Sequence, residues 1–176
     1  MVIMYTKIPD RHKISTKVTA LSGESLLEIG RITVHFSILE WELVNLIHRL
    51  LGIPVPRART ITSELSFRGL QQLASSLVKE RRPDRVDEFS GILKKVSACE
   101  DQRNIVSRSV WGAGGVTHDG NQIIVRTKYT SKQSKGLKFS RQEMTRNDLN
   151  AIAQAISIAA FDLEGFAASL KLKRPV

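Results

Sequence analysis

Between Ser22 and Leu51 apolar residues return at steps of three and four: Ile29, Ile32, Phe36, Leu39, Leu43, Leu46, Ile47 and Leu50. A period near 3.6 is that of a helix with one face turned to a core. Ser22, followed by Gly23 and Glu24, suits the start of this helix, and Gly52 suits its C-cap. About thirty residues of amphipathic helix demand an apolar partner surface, which commits the chain to helix-on-helix packing. Pro54 and Pro56 then break the pattern.

The rest of the chain supplies the partners. Leu65, Leu70, Leu73, Ala74 and Leu77 predict a second helix over Thr62–Glu80, ended by Arg81, Arg82 and Pro83. A third is expected from Asp84 to Val110, with Asp84 as cap and Asp87 in the first turn. Trp111-Gly-Ala-Gly-Gly115 reads as a break. Two β-like runs follow, Gln122–Thr130 and Gly136–Ser140, with an Asp119-Gly120 turn before the first and a Ser/Lys-rich tip between them. Thr145 with Asp148 forms a capping-box pair, and Met144 with Leu149 a hydrophobic staple, at the start of a last helix. Ile152, Ile156, Ala159, Leu163, Phe166 and Leu170 carry its apolar stripe, and the tail Lys171–Val176 is basic. Residues 1–21 show no period and read as an N-terminal arm with a short strand at Val2–Ile8. The expected fold is thus mainly α: a single helical domain over 22–176, a four- to five-helix bundle with a small β-hairpin inserted before the last helix.

Composition bounds the function. With 176 residues, 41% hydrophobic, the chain can bury a core without staples. The single cysteine, Cys99, rules out an internal disulfide framework and a cysteine-rich zinc site. No apolar run reaches the length of a membrane span, and Met1–Asp10 lacks the plan of a signal peptide, so the expected compartment is the cytoplasm. The formal net charge is +10 and the pI about 10.1, which attracts polyanions, nucleic acid foremost.

The third helix carries charge where a core stripe belongs. Phe89, Leu93, Val96, Val106 and Val110 define the stripe, and at about 100° per residue Glu100 and Arg103 fall inside it. A charge placed there needs a partner or an open cleft. Glu40, on the shoulder of the first helix's stripe, is the expected carboxylate for Arg103, in a bidentate pair.

The run Glu100-Asp-Gln-Arg103-Asn104-Ile-Val-Ser-Arg108-Ser-Val-Trp111-Gly112 resembles the HEPN superfamily, helical-bundle proteins that include metal-independent RNases of toxin–antitoxin and phage-defence systems. Their motif is Arg, four to six residues, then His, with a polar residue often following the Arg and a Trp often following the His. Arg103 and Asn104 match its start and Trp111-Gly112 its end; Leu39-Glu40-Trp41-Glu42-Leu43 in the first helix is also similar to those branches. The resemblance implies an endoribonuclease in which the RNA 2′-hydroxyl attacks the adjacent phosphate, leaving a cyclic phosphate and a 5′-hydroxyl. It implies catalytic positions at Arg103, Asn104 and Arg108, no metal or other cofactor, and a homodimer with both motifs in one composite cleft. A cognate antitoxin or other protein partner is implied as well. Arg108, however, stands where the family has His. A guanidinium stays protonated and cannot serve as a base, though it can bind phosphate. Activity is therefore expected to be impaired, with RNA binding retained and the four arginines of a dimer drawing a phosphate or sulfate.

Other candidates are weaker. Lys128, Lys132, Lys135 and Lys138, with Tyr129, put a basic stripe on the hairpin that suits a nucleic-acid backbone or simply a solvated edge. Arg57, Arg59, Arg81 and Arg82 extend it. His12, His35, His48 and His118 are dispersed and read as surface or core-edge residues. Ser107 and Ser109 lack a base partner or nucleophile elbow, and Gly112, Gly114 and Gly115 lack the Lys-Ser/Thr of a phosphate loop. Phe36, Trp41 and Phe166 are expected in the core. The competing function is a non-enzymatic basic helical dimer that binds nucleic acid or a protein partner.

Overall fold

Helix α1 spans Gly23–Leu51, bounded by the residues its sequence marks. The Ser22 hydroxyl accepts from the Ser25 N–H at 3.2 Å. Gly52 closes the helix at φ 65°, a left-handed conformation that favours glycine, and its N–H donates to the His48 carbonyl at 3.1 Å. These residues belong to a computed structural model that describes residues 21–118, 122–132 and 136–170, with side chains omitted for 130–139. The expected strand at Val2–Ile8, the Asp119-Gly120 turn, the hairpin tip and the basic tail lie outside the described residues.

The proline pair follows the end of α1, as expected, and also opens a further helix. Helix α2, Val55–Thr62, has Pro54 at its N-cap and Pro56 in its first turn. The first N–H groups of a helix have no partner within it, so proline loses nothing there. Thr62 consequently ends α2 and does not start the next helix. Helix α3, Phe67–Arg81, begins at Ser66, whose hydroxyl accepts from the Gly69 N–H at 3.1 Å. A 3-10 turn at Pro83–Arg85 leads into helix α4, Val86–Ser107. Asp84 does not cap α4; its carboxylate takes the Arg82 guanidinium at 2.8 and 3.0 Å, which holds Asp84 below the usual carboxylate range.

Beyond α4 the expected two-stranded hairpin is a three-stranded antiparallel sheet in the order β1-β2-β3. Its strands are β1 (Val110–Val116), β2 (Gln122–Lys132) and β3 (Gly136–Thr145). The glycine-rich run taken for a break is β1. Glycine disfavours strands on propensity, and here it serves close approach. The ladder is bulged between Ala113 and Gly115. A Cβ at Gly114 would stand 2.7 Å from Val125 Cγ2 and 2.9 Å from Ile123 Cγ2, both on stiff β-branched chains. Gly114→Ala is therefore expected to cost roughly 1–3 kcal/mol by overpacking. A denaturant midpoint measured beside that of Gly112→Ala, where a Cβ meets nothing within 4 Å, checks it.

Helix α5, Arg146–Ser169, starts with the expected capping box: Thr145 N–H donates to Asp148 at 2.7 Å and Asp148 N–H returns to the Thr145 hydroxyl at 3.3 Å. By length and composition α5 could cross a membrane. Its inner stripe, Leu149, Ile156 and Leu163, is fully buried together with Leu39, Leu43 and Leu46 of α1. Phe89 of α4 stacks on Phe166 of α5, ring centroids 5.0 Å apart, and Phe36 of α1 meets Phe67 of α3 at 4.6 Å. Ile124 and Met144 seal the sheet onto this core. The chain is mainly helical, with the sheet placed between α4 and α5. One expected core residue is misplaced: Trp41 is 52% exposed, on the solvent side of α1.

Candidate functional site

The C-terminal end of α4 is built by side chains rather than by a glycine cap. Its trailing carbonyls would be unsatisfied in an isolated helix. Here the Arg108 N–H donates to the Asn104 carbonyl at 3.2 Å and the Ser109 hydroxyl to the Ile105 carbonyl at 2.6 Å. The Trp111 indole N–H donates to the Val106 carbonyl at 3.0 Å. Ser109 and Trp111, two residues of the run Glu100–Gly112, thus terminate the helix and join it to β1.

Arg103 is half-buried, its guanidinium carbon 4.0 Å above the centroid of the Phe36 ring. Such a stack favours the cation through the negative face of the ring. The expected pairing with Glu40 is not formed: among the described residues Arg103 has no ion pair, and its Nε is buried without a partner. The aromatic face under the guanidinium has taken the place assigned to the carboxylate. Glu100 is engaged elsewhere. It accepts from Gln71 Nε2 at 3.1 Å, while Gln71 Oε1 accepts from the Ser97 hydroxyl at 2.6 Å, a polar bridge between α3 and α4.

Arg108 is the C-cap residue of α4; it is exposed and has no side-chain hydrogen bond or ion pair among the described residues. Five residues along a helix turn the side-chain direction by roughly 140°. Arg103 and Arg108 accordingly part, one onto Phe36 and one into solvent. Asn104, between them, is half-buried with its side-chain oxygen unpartnered. Among the described residues the end of α4 therefore carries two cations with no carboxylate bound to either, and two buried polar atoms without a hydrogen-bond partner.

Sequence reasoning missed a third cation here. Arg126 on β2 is 7% exposed. It donates to the Ser109 hydroxyl at 3.4 Å and to Gln142 Oε1 at 2.8 Å, and its Nε is unpartnered. In register it lies between Trp111 of β1 and Gln142 of β3. Through Ser109 its charge reaches the negative end of the α4 dipole, which favours a cation. Strand alternation was the available signal, since Arg126 shares a face with buried Ile124.

The remaining candidates divide. Lys128 is half-buried on β2 and Tyr129 is exposed. Lys132 and Lys138 lie on the β2–β3 ladder, but their side chains, and Lys135 entirely, are outside the described residues. Arg57 and Arg59 are exposed on α2. Arg81 pairs with Glu80, and Arg82 holds Asp84 and the Leu170 carbonyl, so these two are tied to structure. Ser107 is exposed. His35 sits at the core edge with Nδ1 2.9 Å from the Ala153 carbonyl, and His118 is exposed with no hydrogen bond to Arg103 or Arg108. Burial pushes the Cys99 thiol up, keeping it protonated. Among the described residues no three His, Cys, Asp or Glu side chains gather as a metal-binding group.

Several grooves flank the helices. One of about 620 Å³ runs between α3 and α4, lined by polar residues that include Arg68, Gln72, Ser75, Lys94 and Asp101. Another, about 220 Å³, lies between α1 and α5 and includes His35, Ile38, Glu42, Phe161 and Glu164. Burial raises the Glu42 carboxyl above its usual range, against a hydrogen bond from Asn45, and neighbouring Glu164 adds to the rise. No family model, curated protein or solved structure matches the chain.

Proposed function

We propose that the protein binds single-stranded RNA at the end of α4, as a HEPN-like ribonuclease whose acid–base position is filled by Arg108. One observation carries the reading: Arg103 and Arg108 bring two guanidinium groups to the end of one helix, with no carboxylate paired to either among the described residues. Uncompensated cations there suit phosphate oxygens. The Arg103-Asn104…Arg108…Trp111 run supports the family resemblance. A homodimer, a toxin or phage-defence setting and a cognate antitoxin belong to the same proposal. Lys128, Lys132 and Lys138 of the sheet extend the path of the backbone. Arg108 binds phosphate but supplies no general base, so cleavage by the chain as it stands is weak or absent.

A second reading, a non-enzymatic basic dimer, is favoured by the Phe36 stack, which gives Arg103 a structural task without any substrate. Equilibrium binding to a fluorescent single-stranded RNA tests what both readings share. Neutralising four phosphates predicts an affinity loss of roughly 50-fold between 50 and 200 mM salt. Arg103→Ala and Arg108→Ala should each weaken binding and flatten that slope. Absence of binding at low salt, or binding indifferent to both changes, overturns the proposal.

A further inference from the structure

Helix α1 is apolar on two opposite sides. Its inner stripe builds the core, yet Leu27, Val34, Ile38 and Trp41 on the outer side are 59%, 59%, 47% and 52% exposed. Positions 27, 34, 38 and 41 fall within about 60° of one another around the axis, so they form one stripe. A second apolar stripe, on the side of a core helix away from the core, is normally covered, and nothing among the described residues covers this one. The stripe continues onto α5: Ile38 borders the groove that holds Phe161, and Phe161 and Ile158 are 73% and 58% exposed. On the outer side of α5 the neighbouring exposed positions Ala151, Ser157, Gly165 and Ala168 are small and uncharged. In a chain of net charge +10, the charges that line the groove of this face are Glu42 and Glu164, with His35 beside them.

We infer that this α1–α5 face is covered by a second copy of the chain, in a two-fold dimer. The partner and the consequence for RNA rest on the proposed function; the exposed surface does not. The six large side chains present roughly 500 Å² of apolar surface. That is near the upper end for a patch left open on a monomer. It is also most of the roughly 800 Å² per partner of a standard interface. A two-fold contact sets the same face against itself, so apolar stripe meets apolar stripe. Its two aromatics, Trp41 and Phe161, are of the residue class that anchors interfaces.

The consequence concerns the site. Phe36, the residue under Arg103, lies roughly 170° around α1 from the middle of the outer stripe. A dimer closed by this stripe turns its two Arg103 residues away from the interface and from each other. The dimer then presents two separate RNA sites on outer faces, where the family resemblance implies one composite cleft.

Sedimentation velocity of the full chain, with RNA binding measured in parallel, tests this. The unaltered protein is expected at twice 19.7 kDa. Ile38→Glu and Phe161→Glu, each at an exposed site, should weaken dimerisation roughly 30-fold or more, while Arg103→Ala leaves it unchanged. Monomeric variants that still bind RNA would support separate sites; loss of binding together with the dimer would overturn them. An unaltered chain that is monomeric, or a dimer indifferent to both glutamates, overturns the interface. Should the glutamate variants not fold, Trp41 decides: dilution of the unaltered dimer should red-shift its emission and increase acrylamide quenching. Fluorescence constant through dissociation, or a Trp41 shielded in a monomer by another segment of the chain or by lipid, overturns the proposal as well. RNA binding lost by Arg103→Ala, or never observed, bears on the proposed function and leaves the interface standing.

Discussion

Phe36→Ala should remove about 3–5 kcal/mol of folding stability, a large part of what a domain of this size possesses. The ring is 4% exposed and stands at a junction of three helices. It meets Phe67 of α3 at 4.6 Å and carries the Arg103 guanidinium of α4 at 4.0 Å. Truncation leaves a cavity that none of the three helices can close without moving the others. It also strips Arg103 of the ring beneath it, leaving a half-buried cation over a void, and the stack itself contributes about 0.5–2 kcal/mol. Phe36→Leu separates the two contributions: it keeps most of the volume and loses the ring. In urea titrations Phe36→Ala should shift the midpoint strongly and Phe36→Leu by less. A cycle with Arg103→Met then isolates the coupling. Arg103→Met alone should be near neutral, because an apolar chain of similar length replaces a cation that has no ion pair among the described residues. A coupling indistinguishable from zero would mean that the ring does not hold the arginine.

The same residues show how far the sequence is legible. Local devices read correctly: Ser22 and Gly52 bound α1, and Thr145 with Asp148 opens α5, because each depends on backbone groups within a few residues. Periodicity placed the core stripes of α1 and α5 for the same reason. It failed at Trp41, because spacing identifies an apolar stripe without saying whether this chain covers it. Pro54 and Pro56 do follow the end of α1, but they also open α2, which the sequence does not show because proline is equally at home just before a helix and just after one. Glycine propensity hid β1, whose bulge needs the missing Cβ of Gly114. At the site, charge placement on α4 was visible but partners were not. Glu40 and Phe36 lie one turn apart on α1, and only the packing of α4 across them selects the ring over the carboxylate. Arg126 stayed hidden because its role is defined by Ser109 and Gln142, 17 and 16 positions away.

Arg108→His should turn a poor nuclease into a measurable one. The position is the C-cap of α4, exposed and without a side-chain hydrogen bond among the described residues, so an imidazole enters without disturbing packing. The backbone N–H that closes the helix onto Asn104 is kept. What changes is chemistry: a permanently charged guanidinium gives way to a group that takes and returns a proton near neutral pH. Positioned acid–base catalysis is worth about 10²- to 10⁴-fold, and that is the expected gain in cleavage rate, with a cyclic phosphate and a 5′-hydroxyl as products and no loss on adding a chelator. The negative end of the α4 dipole favours the imidazolium, so the base limb of the pH profile should lie somewhat above that of a free imidazole. Arg103→Ala in the same background should abolish the gain, since the phosphate would lose its cation. The roughly 140° between the two positions sets a condition. Either Arg103 leaves the Phe36 face when RNA binds, or it reaches the phosphate from that stack. Phe36→Leu in the Arg108→His background separates these, raising the rate in the first case and lowering it in the second. If Arg108→His folds, binds RNA and cleaves no faster than the unaltered chain, the nuclease reading falls and the basic RNA-binding dimer remains.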